Sequence, residues 1–171
     1  TPGHTVDHLS LYIPEIRTLL AADAAEIPYP MARTPEGLPA MRRSLSWKTR
    51  LASCKLMPAG WKISYGQRYT VERDEWIGAL PVGYADGYHR VSGNQVILDG
   101  QKVPVVGNVC MDQCMVNVTH VPGVEVGDEV VLIGSQGGET ITVEEVAAKI
   151  GTINYEIPGM FSRRVPRVYI D

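Results

Sequence analysis

The sequence predicts a mainly β domain of short strands, a barrel or a sandwich, with one or two short helices. Short apolar runs recur between turn residues at intervals of about 8 to 12 residues, a spacing typical of barrels and sandwiches. The clearest hairpin signal is Asp99-Gly100, a dipeptide suited to a type I′ turn, between apolar runs at 95–98 and 102–106. Because only one segment after these strands has convincing helical spacing, the predicted class is mainly β.

The first part of the chain differs in character from the rest. Apolar residues at helical spacing over 10–26, with Pro14 suited to a first turn, predict one helix. Four prolines between residues 27 and 39 predict a linker. We therefore expect residues 1–39 to form a helix and a proline-rich connection, and residues 40–171 to form the β domain.

The predicted strands of the β domain follow in chain order. Loose alternation over 44–57 predicts extended chain, and residues 76–82 are apolar on both faces, as in a buried strand. Further strands are predicted at 116–118, at 129–134 and, closing the domain, at 164–170. Turn residues separate these segments, so most neighbouring strands should pair as antiparallel hairpins.

One helix is predicted between the last two strands. Thr142 and Glu145 have the spacing of a capping box, which marks the beginning of a helix. Gly151 stands where a C-terminal cap belongs. The residues between them would share one apolar face of this helix: Val143, Val146, Ala147 and Ile150.

Composition excludes several classes of partner. The 171 residues include 16 Lys and Arg against 19 Asp and Glu, a net charge of -3 that gives no surplus of cations for nucleic acid. No apolar run approaches the roughly 20 residues that span a bilayer, so we expect no membrane insertion. Cys54, Cys110 and Cys114 form no C-x-x-C pair, and their odd number argues against a disulfide framework. We expect reduced thiols, a cytoplasmic location and no metal site.

Several polar groups stand in unusual settings. Tyr65, Tyr84 and Tyr155 lie in turn-like segments, and glycine beside the first two would allow backbone or ligand to approach closely. Taken singly, each is more typical of a tyrosine at a strand end that packs its ring and exposes its hydroxyl to water. The segment 106–115 places an acid, an amide, two thiols and two thioethers between apolar runs, which is odd for a strand.

Six short phrases follow one another along the chain with sensible gaps. The phrases are Ile63-Ser64-Tyr65-Gly66, Trp76-Ile77-Gly78, Val82-Gly83-Tyr84-Ala85-Asp86-Gly87-Tyr88, Gly107 with Val109-Cys110-Met111-Asp112-Gln113, Thr152-Ile153-Asn154-Tyr155-Glu156, and Arg164-Val165-Pro166-Arg167. Taken together, they resemble the C-terminal domain of bacterial alanine racemases, in the same order. The resemblance covers roughly residues 45–169 and implies a small β-barrel-like domain.

The resemblance implies an isomerase that interconverts L- and D-alanine and supplies D-alanine for peptidoglycan. In that family an N-terminal (β/α)₈ barrel holds pyridoxal 5′-phosphate on a lysine, and the β domain completes the site of the partner subunit in a head-to-tail homodimer. Residues 1–39 would then connect to such a barrel. No stretch of this sequence resembles the lysine motif Val-Lys-Ala-Asn-x-Tyr-Gly-His-Gly. We therefore expect the isolated chain to be inactive.

The resemblance also implies catalytic and cofactor roles. Racemisation removes a proton from one face of the α-carbon and returns one to the opposite face. The cofactor lysine would serve one face and Tyr65 the other. Met111 matches the position whose backbone N–H meets the substrate carboxylate. Tyr155 matches a tyrosine at the cofactor phosphate that narrows the entrance, and its bulk favours alanine over serine as substrate.

The entrance itself is implied to involve four further positions. Tyr84, Arg90 and Ile153 match residues that line the corridor to the site. Asn108 departs from the Arg of similar racemases, which should weaken the steering of the substrate carboxylate. These four residues and Met111 are the predicted substrate-binding set.

Two other functions stay open. One is a noncatalytic dimerisation or binding module of the same descent. The retention of Tyr65, Met111 and Tyr155 together favours the enzyme, because an interaction module has no need for all three. The other is a pyridoxal-phosphate amino-acid decarboxylase, which lacks the Met-Asp-Gln and Ile-Asn-Tyr-Glu phrases found here.

Overall fold

The computed structural model describes residues 10–13, 18–21 and 45–168 of the chain. The chain divides into two compact units, residues 1–45 with 166–171 and residues 46–165. In the first unit, strands β1 (Ser10–Ile13) and β2 (Thr18–Ala21) pair antiparallel, with Ser10 opposite Ala21.

The helix expected over residues 10–26 is therefore wrong at these eight positions. A residue before proline is disfavoured in the helical region, and Ile13 precedes Pro14. Leu11 and Ile13 also fit a period of two, so the apolar spacing suited a strand as well as a helix. The predicted linker at 27–39 lies outside the described residues, and the boundary at residue 40 stays a prediction.

The second unit contains ten strands, two α-helices and short 3₁₀ turns. The elements are β3 (Trp47–Arg50), β4 (Ser53–Met57), β5 (Lys62–Ile63), β6 (Tyr69–Thr70), β7 (Glu75–Leu80), β8 (Gln95–Leu98), β9 (Gln101–Val106), β10 (Cys114–Asn117), β11 (Glu129–Gln136), β12 (Glu139–Ile141), α1 (Val143–Ile150) and α2 (Glu156–Met160). The strands of the main, eight-stranded sheet have the neighbour order β12-β11-β8-β9-β10-β7-β4, with β3 also paired to β11, and every pairing is antiparallel. Strands β5 and β6 form a separate hairpin.

The sheet closes on itself because the continuous segment β3–β4 pairs with two strands, β11 and β7, that are not neighbours in the sheet. Strand β3 pairs with β11 and strand β4 pairs with β7. Leu51 and Ala52 alone separate β3 from β4, and their N–H groups donate to the carbonyls of Asp128 and Ala79, each at 2.9 Å. Closure leaves few unpaired edges. The predicted mainly β, barrel-like fold is confirmed.

Local turn chemistry behaves as the sequence predicts. Asp99 and Gly100 have φ values of 48° and 70°, both in the left-handed region that a type I′ turn requires. Leu98 faces Gln101 across this turn, so β8 and β9 form the expected hairpin. The 95–98 and 101–106 strands are thereby fixed in register.

The barrel interior is filled by aliphatic side chains with almost no exposed surface. Burying a Leu, Val or Ile side chain contributes roughly 1.5 to 3 kcal/mol each, before the entropy of ordering the chain is subtracted. This packing is the main support for the loops described below. The core members on these strands include Leu80, Val96, Leu98, Val103, Val116, Val130 and Leu132.

The caps predicted for helix α1 are confirmed. The Thr142 hydroxyl accepts from the Glu145 N–H at 3.1 Å, the Glu145 carboxylate accepts from the Thr142 N–H at 3.3 Å, and Gly151 has φ 82°.

The strand expected over 164–170 is wrong where residues are described, because 164–168 form no strand. Pro166 has no N–H to donate to a neighbouring strand.

All three cysteines are free thiols. Cys114, on β10, is completely buried, and this burial, with Cys110 nearby, raises its pKa to about 12 from an ordinary value of 9.0. A thiol whose pKa is raised by folding stabilises the folded state at low pH, and this contribution is lost as the pH rises between those two values.

We expect the free energy of unfolding of this chain to fall with pH above about 9, with Cys114 contributing up to about 1.4 kcal/mol per pH unit. Cys114→Ala should be less stable than the parent at pH 8, because it leaves a cavity. Its deficit should shrink at pH 9 and 10, because it lacks this titration. Urea unfolding at the three pH values measures the difference. A deficit that stays constant would contradict the assignment.

Candidate functional site

Tyr65 lies in a 3₁₀ turn, Tyr65–Gln67, between β5 and β6. Ser64 and Gln67 have φ values of 59° and 51°, in the left-handed region that non-glycine residues rarely adopt. Such conformations persist where the surroundings hold them. The Tyr65 side chain is 76% exposed, and among the described residues its hydroxyl has no hydrogen-bond partner. The turn therefore presents the phenol to solvent.

The neighbouring segment 107–108 holds this turn. The Asn108 N–H donates to Ser64 Oγ at 2.6 Å, and Asn108 Nδ2 donates to the Tyr65 carbonyl at 2.7 Å. Gly107 has φ 69°, and a Cβ at this position would overlap Ser64 Oγ. Glycine is therefore required where the two segments touch.

Tyr65 and Met111 line the same open pocket. Met111 is 52% exposed, and its N–H has no acceptor among the described residues. No lysine or histidine is among the residues that line this pocket. The lining residues are Ala52, Tyr65, Ala79, Leu80, Pro81, Cys110, Met111, Asp112 and Gln113.

The backbone of Met111 is fixed by the 3₁₀ turn Tyr84–Asp86, which follows β7. The N–H groups of Tyr84 and Ala85 donate to the carbonyls of Cys110 and Met111, both at 3.0 Å. A Cβ on Gly83 would overlap both carbonyl oxygens. The turn thus holds the carbonyl oxygens of Cys110 and Met111, and the Met111 N–H keeps no acceptor among the described residues.

A charge cluster ties this turn to the loop that carries Met111. Asp86, only 7% exposed, accepts from the Gly83 N–H at 2.9 Å. Arg164 lies between two carboxylates, with Nε 3.3 Å from Asp86 and Nη2 2.7 Å from Asp112. The hydrogen bond to Asp112, and then the charge of Asp86, raise the pKa of Arg164. Asp112 is adjacent to Met111, so the cluster holds the loop that carries Met111 against the Tyr84–Asp86 turn.

Sequence reasoning missed this role of Arg164, Asp86 and Asp112. All three belong to the six phrases on which the resemblance rests, and the structure brings those phrases together. The sequence contained one signal for these ion pairs, namely two acids and one arginine in phrases that lie far apart in the chain. Spacing gives no information about such long-range pairs.

The remaining predicted site residues fall into two groups. Tyr84 is exposed, and the Arg90 guanidinium carbon lies 6.0 Å from its ring centroid, at the limit of a cation–π contact. Ile153 and Tyr155 are exposed in the loop between α1 and α2, and neither lines the Tyr65 pocket. The structure therefore links Tyr65, Asn108, Met111 and Tyr84 through the contacts above, and Arg90 through Tyr84, but it holds Ile153 and Tyr155 on a separate loop.

The exposed surface has the character of a partial site. Binding pockets usually bury most of a small ligand, whereas this pocket is open to solvent. Large apolar or aromatic side chains that stay exposed in one region mark an interaction surface. None of the helices in the described part of the chain has the length and apolar character needed to cross a membrane.

Comparison with known proteins identifies relatives of this domain. The sequence model of the family described as alanine racemase, C-terminal domain, matches residues 44–169. An alanine racemase of Halothermothrix orenii is 54% identical over 127 residues, which are 73% of this chain and 34% of that protein. The chain thus spans about a third of the length of this relative.

Solved structures show the same similarity. The alanine racemase from E. faecalis is 43% identical, with a TM-score of 0.70, over 73% of this chain and 33% of that one. The alanine racemase from Bacillus anthracis with bound L-Ala-P is 40% identical, with a TM-score of 0.73, over 82% of this chain and 37% of that one.

Proposed function

The chain belongs to the family of alanine racemase C-terminal domains, and from that premise we propose that its barrel supplies one half of a racemase active site. The substrate is alanine, and the partner is the N-terminal barrel of a second subunit in a homodimer. The observation that carries this proposal is the shared pocket of Tyr65 and Met111, since both residues are exposed and the Met111 N–H has no acceptor among the described residues.

Each group has a defined task in this proposal. When bound, pyridoxal phosphate supplies the electron sink that makes the α-proton of alanine removable. Tyr65 exchanges a proton with the α-carbon from one face, and a lysine of the barrel serves the other face. The Met111 N–H donates to the substrate carboxylate. Tyr84, Arg90 and Ile153 line the approach.

The residues of this chain fit a supporting role toward the cofactor. The exposed Tyr155 phenol can hydrogen-bond to a phosphate, as the resemblance implies. The pocket of Tyr65 and Met111 is lined by no lysine that could hold an aldehyde. We therefore assign the main attachment of the cofactor to the barrel, as the resemblance implies.

The exposure of Tyr65 also points to a second subunit. A phenol works as a base only where cations or hydrogen-bond donors stabilise its phenolate. Within the described residues the Tyr65 hydroxyl has no hydrogen-bond partner. We assign the groups that activate it to the barrel of the partner subunit, as the resemblance implies.

The isolated chain is expected to racemise no alanine and to show no absorbance band of lysine-bound pyridoxal phosphate. Residues 44–171 joined to the N-terminal portion of the Halothermothrix orenii racemase should recover both, because that portion supplies the lysine. D-alanine formation and cofactor absorbance measure the two properties.

Two outcomes would oppose the proposal in different ways. A cofactor band in the isolated chain that borohydride fixes to one of its own lysines would contradict the half-site assignment. A joined protein that folds, dimerises and retains cofactor but forms no D-alanine would favour the noncatalytic module instead.

A further inference from the structure

We infer that Asn108 is a positioning residue for Tyr65, and that its hydrogen bonds to Ser64 and Tyr65 determine where the phenol stands. The inference rests on the proposed function, since it concerns the group that moves the proton. It gives Asn108 a task different from steering the substrate carboxylate.

Asn108 holds two successive residues with two different donors. Its backbone N–H reaches Ser64 Oγ at 2.6 Å, and its side-chain amide reaches the Tyr65 carbonyl at 2.7 Å. The bond to the Tyr65 carbonyl lies at the short end of the usual range for N–H···O bonds, and the bond to Ser64 Oγ is slightly shorter than that range. One N–H of the amide therefore points at the Tyr65 backbone and is not available to a substrate.

The Tyr65 turn depends on such external support. The exposed Tyr65 side chain is not held by burial, so the backbone decides its location. That backbone has left-handed conformations at Ser64 and Gln67, which relax unless neighbouring groups oppose relaxation. The hydrogen bonds of Asn108 to Ser64 and Tyr65 oppose this relaxation. The close approach of Gly107 to Ser64 places Asn108 within hydrogen-bonding distance of the turn.

Proton transfer is sensitive to such placement. A displacement of about 1 Å in a reacting group can lower a rate about 100-fold. Loss of the amide donor should therefore reduce kcat with little change in KM. The Met111 N–H is held by a different set of contacts, from Tyr84 and Ala85, so carboxylate binding should persist.

A double-mutant cycle in an active racemase that contains this domain tests the inference. Asn108→Asp keeps the size and the backbone bond but replaces the amide donor with an acceptor that faces the Tyr65 carbonyl. We expect kcat to fall about 10-fold to 100-fold. In the Tyr65→Phe background the same change should have almost no further effect, because the proton carrier is already absent.

Gln136→Glu is the matched control. Gln136 donates from its amide to the Glu129 carbonyl at 3.0 Å and does not line the Tyr65 pocket. It also accepts from the Gly100 N–H, which a carboxylate can still do. This variant should retain the kcat of the parent.

Ser64→Ala provides a second variant if Asn108→Asp does not fold. It removes the acceptor of the Asn108 N–H and should lower kcat in the parent but not in the Tyr65→Phe background. Equal losses in both backgrounds would overturn the inference and leave the role of Tyr65 intact. A loss of less than about threefold from Tyr65→Phe itself would instead contradict the proposed function, since acid–base groups contribute at least about 10²-fold.

Discussion

Tyr65→Phe is expected to lower the turnover of a racemase containing this domain by about 10² to 10⁴-fold, the usual contribution of a general acid–base group. The substitution keeps the ring and removes the hydroxyl, which has no partner among the described residues. It should therefore change neither the fold nor the cofactor content. Steady-state rates from L- and D-alanine, with cofactor absorbance, measure the effect.

Isotope exchange separates a missing proton carrier from a general defect. Exchange of the α-proton should be impaired most for the enantiomer whose proton faces Tyr65. Equal impairment for both enantiomers, together with loss of cofactor, would indicate damaged folding. A loss of turnover below about threefold would rule out the acid–base role.

Gly83→Ala is expected to have the second largest effect. A Cβ at this position would overlap the carbonyl oxygens of Cys110 and Met111, and these are backbone atoms that cannot rotate away. We expect the free energy of unfolding to fall by about 1 to 3 kcal/mol, the usual cost of overpacking. KM for alanine should also rise, because the Met111 N–H that binds the substrate carboxylate moves. Urea unfolding and KM for alanine measure the two consequences.

Gly159→Ala is the matched control for this steric argument. Gly159 lies in α2, and a Cβ there would meet nothing within 4 Å. Because alanine is favoured over glycine in a helix by about 0.5 to 1 kcal/mol, the variant should be as stable as the parent or more stable. If both glycine variants are destabilised equally, close packing at Gly83 is not the cause.

The sequence predicted those parts of the fold that local chemistry decides. Asp99-Gly100 specifies its turn because both residues tolerate a positive φ. Thr142 and Glu145 cap α1 because the two groups lie one helical turn apart. In both cases the residues that interact are within a few positions of each other, so the pattern is visible in the chain.

The sequence did not predict those parts of the structure that depend on residues far apart in the chain, or on a pattern that fits both a helix and a strand. The apolar spacing of residues 10–26 suited two structures, and Pro14 disfavoured the helix at the residue before it. Barrel closure at Leu51 and Ala52 depends on partners in β7 and before β11, which no local pattern reveals. For the same reason the bonds of Asn108 to Tyr65 could not be read from the sequence.

Candidate site residues were predicted through resemblance, and the structure adds how they are held. No pattern in the sequence shows that Tyr65 and Met111 share a pocket. Nor does any pattern show that Arg164 bridges Asp86 and Asp112. Ion pairs of this kind join loops whose separation in the chain carries no signal, so their function becomes visible only in three dimensions.

Mixing two inactive racemases tests most directly whether this domain completes the site of a partner subunit. One carries Tyr65→Phe, and the other lacks the cofactor lysine of its barrel. If subunits share sites, random reassociation of equal amounts should restore about a quarter of the parent activity. About half of the dimers are then hybrids, and each hybrid has one intact site of its two. If hybrids form, shown by differently tagged chains, and no activity returns, the site is not shared between subunits and the account is wrong.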